Sequence, residues 1–151
     1  MPIETLKNVV DYGIIGLLIL MSVATFAYAI ERLLFYRSVD LYQYPNRKML
    51  ELDLGRNLGP LATIGSSAPY IGLLGTVLAI ILTFYIIGEQ KTAIDTGEIM
   101  KNLALALKAT AAGLVVAIPA TIFYNILMDR VDRLLTRWDI LNDRQNEYDE
   151  R

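Results

Sequence analysis

The sequence predicts an all-α membrane protein with three transmembrane helices and long cytoplasmic helical extensions. Two observations predict it. Residues 57–88 contain not one Asp, Glu, Lys or Arg, and two similar charge-free runs, 12–30 and 109–128, flank that stretch. A helix rises about 1.5 Å per residue, so roughly 20 apolar residues cross a bilayer core. Beyond the third run, Leu127, Val131, Leu134, Trp138 and Leu141 recur at spacings of 4, 3, 4 and 3, with Arg and Asp between them. That is a coiled-coil seam continuing a membrane helix into water.

The elements follow in order. Residues 1–11 place Ile3, Leu6, Val9 and Val10 on one helical face, with Pro2 suited to a first turn. They predict an external amphipathic helix at the membrane–water interface, although a simple extension of the first span satisfies the same pattern. Residues 12–30 form transmembrane helix 1. Ala27-Tyr28-Ala29 has the small-x-small pattern of a signal-peptide cleavage site. The preceding Glu4, Lys7 and Asp11 are not a positive n-region, and the run exceeds the usual h-region of about 7–15 residues, so a retained span is the better reading.

Residues 31–67 form a cytoplasmic helical segment. Leu33, Leu34, Tyr36, Leu41 and Met49 extend the first helix, and Tyr44-Pro45-Asn46 bends or ends it. Residues 68–88 are transmembrane helix 2, 89–100 an external loop, and 101–128 transmembrane helix 3. No stop signal follows Pro119, so residues 129–151 extend helix 3 as one rod to about Tyr148. Three spans cannot bury the seam on that rod alone. It must pack on the chain's own cytoplasmic helix, on identical copies, or on both.

Orientation follows from the basic residues. Arg32, Arg37, Arg47, Lys48 and Arg56 lie between runs one and two, and Arg130, Arg133, Arg137, Arg144 and Arg151 follow run three. Between runs two and three stand only Lys91, Lys101 and Lys108, among Glu89, Asp95 and Glu98. The positive-inside rule puts the N-terminus outside and the C-terminus in the cytoplasm.

Composition narrows the function. Cysteine and histidine are absent, which removes thiol chemistry, His-based acid–base catalysis and most zinc or haem sites. No enzyme, metal site or cofactor is expected. A net charge of −2 without a basic stripe gives no attraction to nucleic acid. Function must lie in the few polar groups inside the bilayer, where they are expensive.

Spans two and three share an unusual makeup. Gly72, Gly75, Ala106, Ala109, Gly113 and Ala117 are small residues that let helix backbones approach in lipid, and Pro119 joins them as a packing position. Thr76 and Thr83 share one face of span two. Thr110, Gly113, Ala117, Thr121 and Tyr124 share one face of span three. A membrane threonine commonly bonds back to its own helix carbonyl. Two hydroxyl stripes among small residues also fit a mostly apolar passage for protons or water, or a partner helix. No carboxylate lies within the three runs. A protein using the proton gradient needs a group that gains and loses a proton in the membrane, so a partner would have to bring the acid.

The span-two sequence APYIGLLGTV and the span-three sequence LKATAAGLVVAIPATIFYN resemble the motifs of the MotA/TolQ/ExbB proton-channel family, and within it the ExbB branch. The two motifs cover about 30 residues, and the three-span, N-terminus-out plan covers the rest. The resemblance implies a bacterial inner-membrane subunit that forms a ring, a homopentamer, with spans two and three around a lumen. It implies an ExbD-like single-span partner carrying a membrane aspartate, and a TonB-like protein powered by the complex for transport across the outer membrane. Thr76 and Thr110 match motif threonines that face the lumen; Pro119, Tyr124 and Asn125 match the end of the same motif. Two departures stand out. Leu105 occupies a position where many members carry glutamate, with Lys108 nearby, and the cytoplasmic loop is short for the family. A TolQ-like role in outer-membrane integrity and a structural scaffold without an ion path are the competing readings. MotA-like stators, with four spans, fit poorly.

Overall fold

The computed structural model describes residues 3–89 and 95–149. Pro2, Lys91 and Arg151, named above for a first turn and for the charge balance, lie outside the described residues. Every regular element among the described residues is helical: α1 (Ile3–Ser38), a 3-10 turn (Leu41–Gln43), α2 (Arg47–Gly55), α3 (Leu58–Glu89) and α4 (Thr96–Asp149). Within them, Thr5–Ser38, Leu58–Glu89 and Thr96–Tyr148 are long and apolar enough to cross a membrane. The chain is a multi-pass helical membrane protein.

α1 runs unbroken from Ile3 and stops at Ser38, short of the Tyr44-Pro45-Asn46 bend that the sequence suggested. The Ser38 hydroxyl turns back to the Leu34 and Phe35 carbonyls, at 3.3 and 3.2 Å, and so satisfies acceptors the helix leaves open at its end. Asp40 then accepts from the Tyr42 amide and starts the 3-10 turn. Asn46 caps α2 by accepting from the Met49 amide at 2.8 Å. Between α2 and α3 the chain reverses at Asn57, the one non-glycine among the described residues with positive φ, 65°. Asparagine tolerates that left-handed conformation better than most residues, and its amide donates to Glu31 at 3.1 Å.

α3 and α4 form the most extensive contact in the fold, and α1 lies across both. Glycine sets how closely they approach. A Cβ on Gly72 would come within 2.6 Å of the Ala109 carbonyl, and one on Gly113 within 2.6 Å of the Ala68 carbonyl. The α3 face of Gly65, Ala68, Gly72, Thr76, Ala79 and Thr83 meets the α4 face of Ala106, Thr110, Gly113, Ala117 and Thr121. Beyond its apolar stretch, α4 continues as one helix to Asp149, and α2 packs against it. Leu50 and Leu54 of α2, Leu58 and Leu61 of α3, and Leu127, Val131 and Leu135 of α4 are all buried there.

Candidate functional site

The site forms where α3 and α4 are closest. Thr76 is 6% exposed, and its Oγ1 lies 2.6 Å from Thr110 Oγ1 across the helix interface. Thr76 also reaches the Ala106 carbonyl at 3.2 Å and the Gly72 carbonyl at 3.3 Å, while Thr110 reaches the Gly72 carbonyl at 3.4 Å. A hydroxyl carries one donor proton and two acceptor lone pairs. Two proton arrangements therefore satisfy the pair. Thr110 can donate to Thr76 while Thr76 donates to Ala106 O, or Thr76 can donate to Thr110 while Thr110 donates to Gly72 O. Reversing the order needs two hydroxyl rotations and no backbone movement. A hydroxyl pair of this kind can relay hydrogen-bond polarity. It holds no group that ionises near neutral pH, and so cannot itself store a proton.

The other two predicted threonines are satisfied within their own helices. Thr83 is buried and donates to the Ala79 carbonyl at 2.8 Å; Thr121 is exposed and donates to the Ala117 carbonyl at 2.9 Å. Thr121 still serves the packing, because a Cβ on Gly65 would meet its Oγ1 at 2.7 Å. The predicted packing residues Gly72, Gly75, Ala106, Gly113 and Ala117 are buried in the interface, and Ala109 and Pro119 are half-buried. Gly75 admits both neighbours at once: its added Cβ would meet Ala109 Cβ at 2.8 Å and Ile14 Cδ1 at 3.0 Å.

On the seam toward the end of α4, Leu127 and Val131 are buried, and Leu134, Trp138 and Leu141 are half-buried. Leu135, which the seam omitted, is buried instead. The Trp138 indole donates to the Tyr44 carbonyl at 3.3 Å, and Arg47 of α2 pairs with Asp139 of α4 at 3.1 Å. The seam thus packs on the chain's own α2 and the turn before it. Arg130, Arg133 and Arg137 line a cleft of about 260 Å3 beside Tyr36 and Leu134.

Sequence reasoning missed a latch at the foot of α1. Arg32 is 3% exposed and donates to the Asp53 carbonyl at 2.9 Å, while Tyr36 donates to the Leu54 carbonyl at 2.6 Å. Both carbonyls belong to the last turn of α2, where no intrahelical donor remains. Arg32 is held by its neighbour Glu31 and lies over the Phe35 ring, 4.6 Å from its centroid. Across the turn, burial and then a hydrogen bond to Asp53 push the Tyr44 phenol above its ordinary range.

Among known proteins, the MotA/TolQ/ExbB proton channel family matches residues 21–140. The biopolymer transport protein ExbB-like 2 of Helicobacter pylori is 55% identical over 137 residues, 91% of this chain and 91% of its own. The biopolymer transport protein ExbB of Aquifex aeolicus is 51% identical over 139 residues, 92% of this chain and 93% of its own. An ExbB of Helicobacter pylori is 46% identical over 136 residues, 90% of this chain and 93% of its own. The chain is thus nearly coextensive with all three.

Proposed function

The chain belongs to the MotA/TolQ/ExbB proton channel family, and from that premise we propose that it is an ExbB-like energiser subunit. It couples the proton motive force across the bacterial inner membrane to a TonB-like protein and so to transport across the outer membrane. The ExbB names of its extended relatives favour this role over a TolQ-like one.

In the proposed assembly, five copies close a ring with the N-terminus outside and the C-terminus in the cytoplasm. Spans two and three surround a lumen, and span one faces lipid. Exposed Ile19, Leu20 and Val23 on α1 suit a lipid-facing helix. The observation that carries the proposal is the Thr76–Thr110 pair, two bonded hydroxyls between membrane helices whose charge-free stretches hold no carboxylate. Such a pair can hold water or bond a carboxyl in an apolar passage, and the carboxyl must come from elsewhere. An ExbD-like single-span partner with a membrane aspartate would supply it. Half-buried Thr110 is the member of the pair left open to such a partner.

Co-purification with the one-span partner, followed by native mass spectrometry, tests this proposal. Five copies of this chain with the partner retained are expected. A detergent-stable monomer that holds no partner refutes the ring and the borrowed acid together.

A further inference from the structure

We infer that the chain carries a phospholipid site, a groove between the start of α1 and the start of α4 that holds a headgroup phosphate and one acyl chain. The groove measures about 240 Å3, and its α1 wall grades from polar to apolar. α1 and α4 run side by side here, fixed in register where Lys7 Nζ donates to Asn102 Oδ1 at 3.2 Å. At the end nearer the start of α1 that wall is Lys7, Asn8 and Asp11, and further along it becomes Ile14 and Ile15; the α4 wall carries Leu105 and Ala106, then Lys108 and Ala109. A phospholipid has the same gradient, a charged head above a hydrocarbon tail.

Charge selects the head. Lys108 borders the charge-free run 109–128, in a membrane helix where a lysine is costly. Among the described residues it has no hydrogen bond and no ion pair, and neither has Asp11. Helical side chains lean toward the helix N-terminus, so the long lysine stem carries its ammonium back toward the polar end of the groove. Lys7, Lys108 and Asp11 together leave one net positive charge, which a phosphodiester monoanion neutralises. The apolar floor selects a lipid over a free phosphate. Gly75 forms part of that floor, and any side chain there would collide with Ile14 and Ala109. Ala106 also lines the groove, and its carbonyl lies 3.2 Å from Thr76 Oγ1. A bound lipid would therefore lie one helix turn from the threonine pair.

The inference rests on the membrane-spanning fold and is independent of proton conduction. Its test counts lipids and leaves the channel proposal to other assays. The purified full-length chain is titrated with phosphatidylglycerol in mild detergent, and bound lipid is read by native mass spectrometry. One lipid per chain is expected to persist, and inorganic phosphate at matched concentration should not displace it. Lys108→Gln should weaken retention about fivefold, the scale set by losing one lysine at a lipid surface. Lys108→Arg should restore it, which separates lost charge from misfolding. Leu105→Glu, placing a carboxylate in the groove beside Lys108, should also expel the lipid. Equal retention in wild type and Lys108→Gln overturns the site. So does a wild-type chain that carries no lipid while Lys108→Gln breaks its oligomer, because a second copy of the chain would then fill the groove.

Discussion

Gly72→Ala adds a single methyl group at the tightest point of the helix crossing. The new Cβ would lie 2.6 Å from the Ala109 carbonyl and 3.1 Å from Gly113 Cα, all of it backbone that cannot rotate away. Ordinary van der Waals contact begins near 3.4 Å, so α3 and α4 must part by about 0.8 Å. Carried to the next turn, that retreat stretches the Thr76–Thr110 pair from 2.6 Å to about 3.4 Å, from a short O–H···O bond to one as long and weak as the Thr110–Gly72 contact. Overpacking of this kind costs about 1–3 kcal/mol, and weakening the interhelical bond adds up to about 0.6 kcal/mol in a membrane. Thermal unfolding in detergent, and proton-gradient-dependent uptake in cells with this chain as the sole copy, should both fall. Gly16→Ala is the control, since nothing lies within 4 Å of its added Cβ, and it should match wild type. If Gly72→Ala behaves like Gly16→Ala in both assays, glycine contact does not set the threonine geometry.

Three further outcomes follow from the same contacts. Thr76→Val and Thr110→Val keep the side-chain shape and remove the hydroxyl, so uptake should weaken while the oligomer, sized by native mass spectrometry, stays intact. Leu134→Ala combined with Trp138→Ala should lower the chain's thermal stability in detergent, because both side chains pack against its own core, and Leu127→Ala alone should cost about 2–5 kcal/mol on chemical unfolding because that site is fully packed. Single Arg130→Gln or Arg137→Gln changes should leave assembly unaltered. Tyr36→Phe leaves the Leu54 carbonyl without its buried donor and should cost about 1–3 kcal/mol in thermal unfolding, with Tyr42→Phe, an exposed phenol, as the neutral control.

Much of the membrane architecture was legible because lipid imposes simple demands. Charge-free length marks the spans, and small residues mark where two helices touch. The details that escaped depend on partners distant in sequence. Arg32 reads as a positive-inside marker, yet it is buried, because its fork caps a helix end 21 residues away. No periodicity announces a backbone carbonyl as a partner. The seam was incomplete for a related reason. A strict 4-3 repeat selects Leu134 and Trp138, which do pack against the core, but Leu127, Val131 and Leu135 also form an i, i+4, i+8 ridge, and the core that holds Leu50 and Leu54 of α2 buries that ridge. The threonines show the limit most clearly. Thr76, Thr83, Thr110 and Thr121 look alike in the sequence, but only Thr76 and Thr110 find a hydroxyl opposite. The decision belongs to Gly72 and Gly113, whose missing side chains bring that one turn of each helix within bonding distance.

Proton flux into liposomes, followed with a trapped pH-sensitive dye under an imposed gradient, addresses the proposed function most directly. The chain alone should not conduct, because its charge-free spans hold no carboxylate. The chain reconstituted with the proposed one-span, aspartate-bearing partner should conduct, and Thr76→Val with Thr110→Val should abolish that flux without releasing the partner. Equal flux from the chain alone, or from the double valine variant, would contradict a borrowed acid working beside the threonine pair.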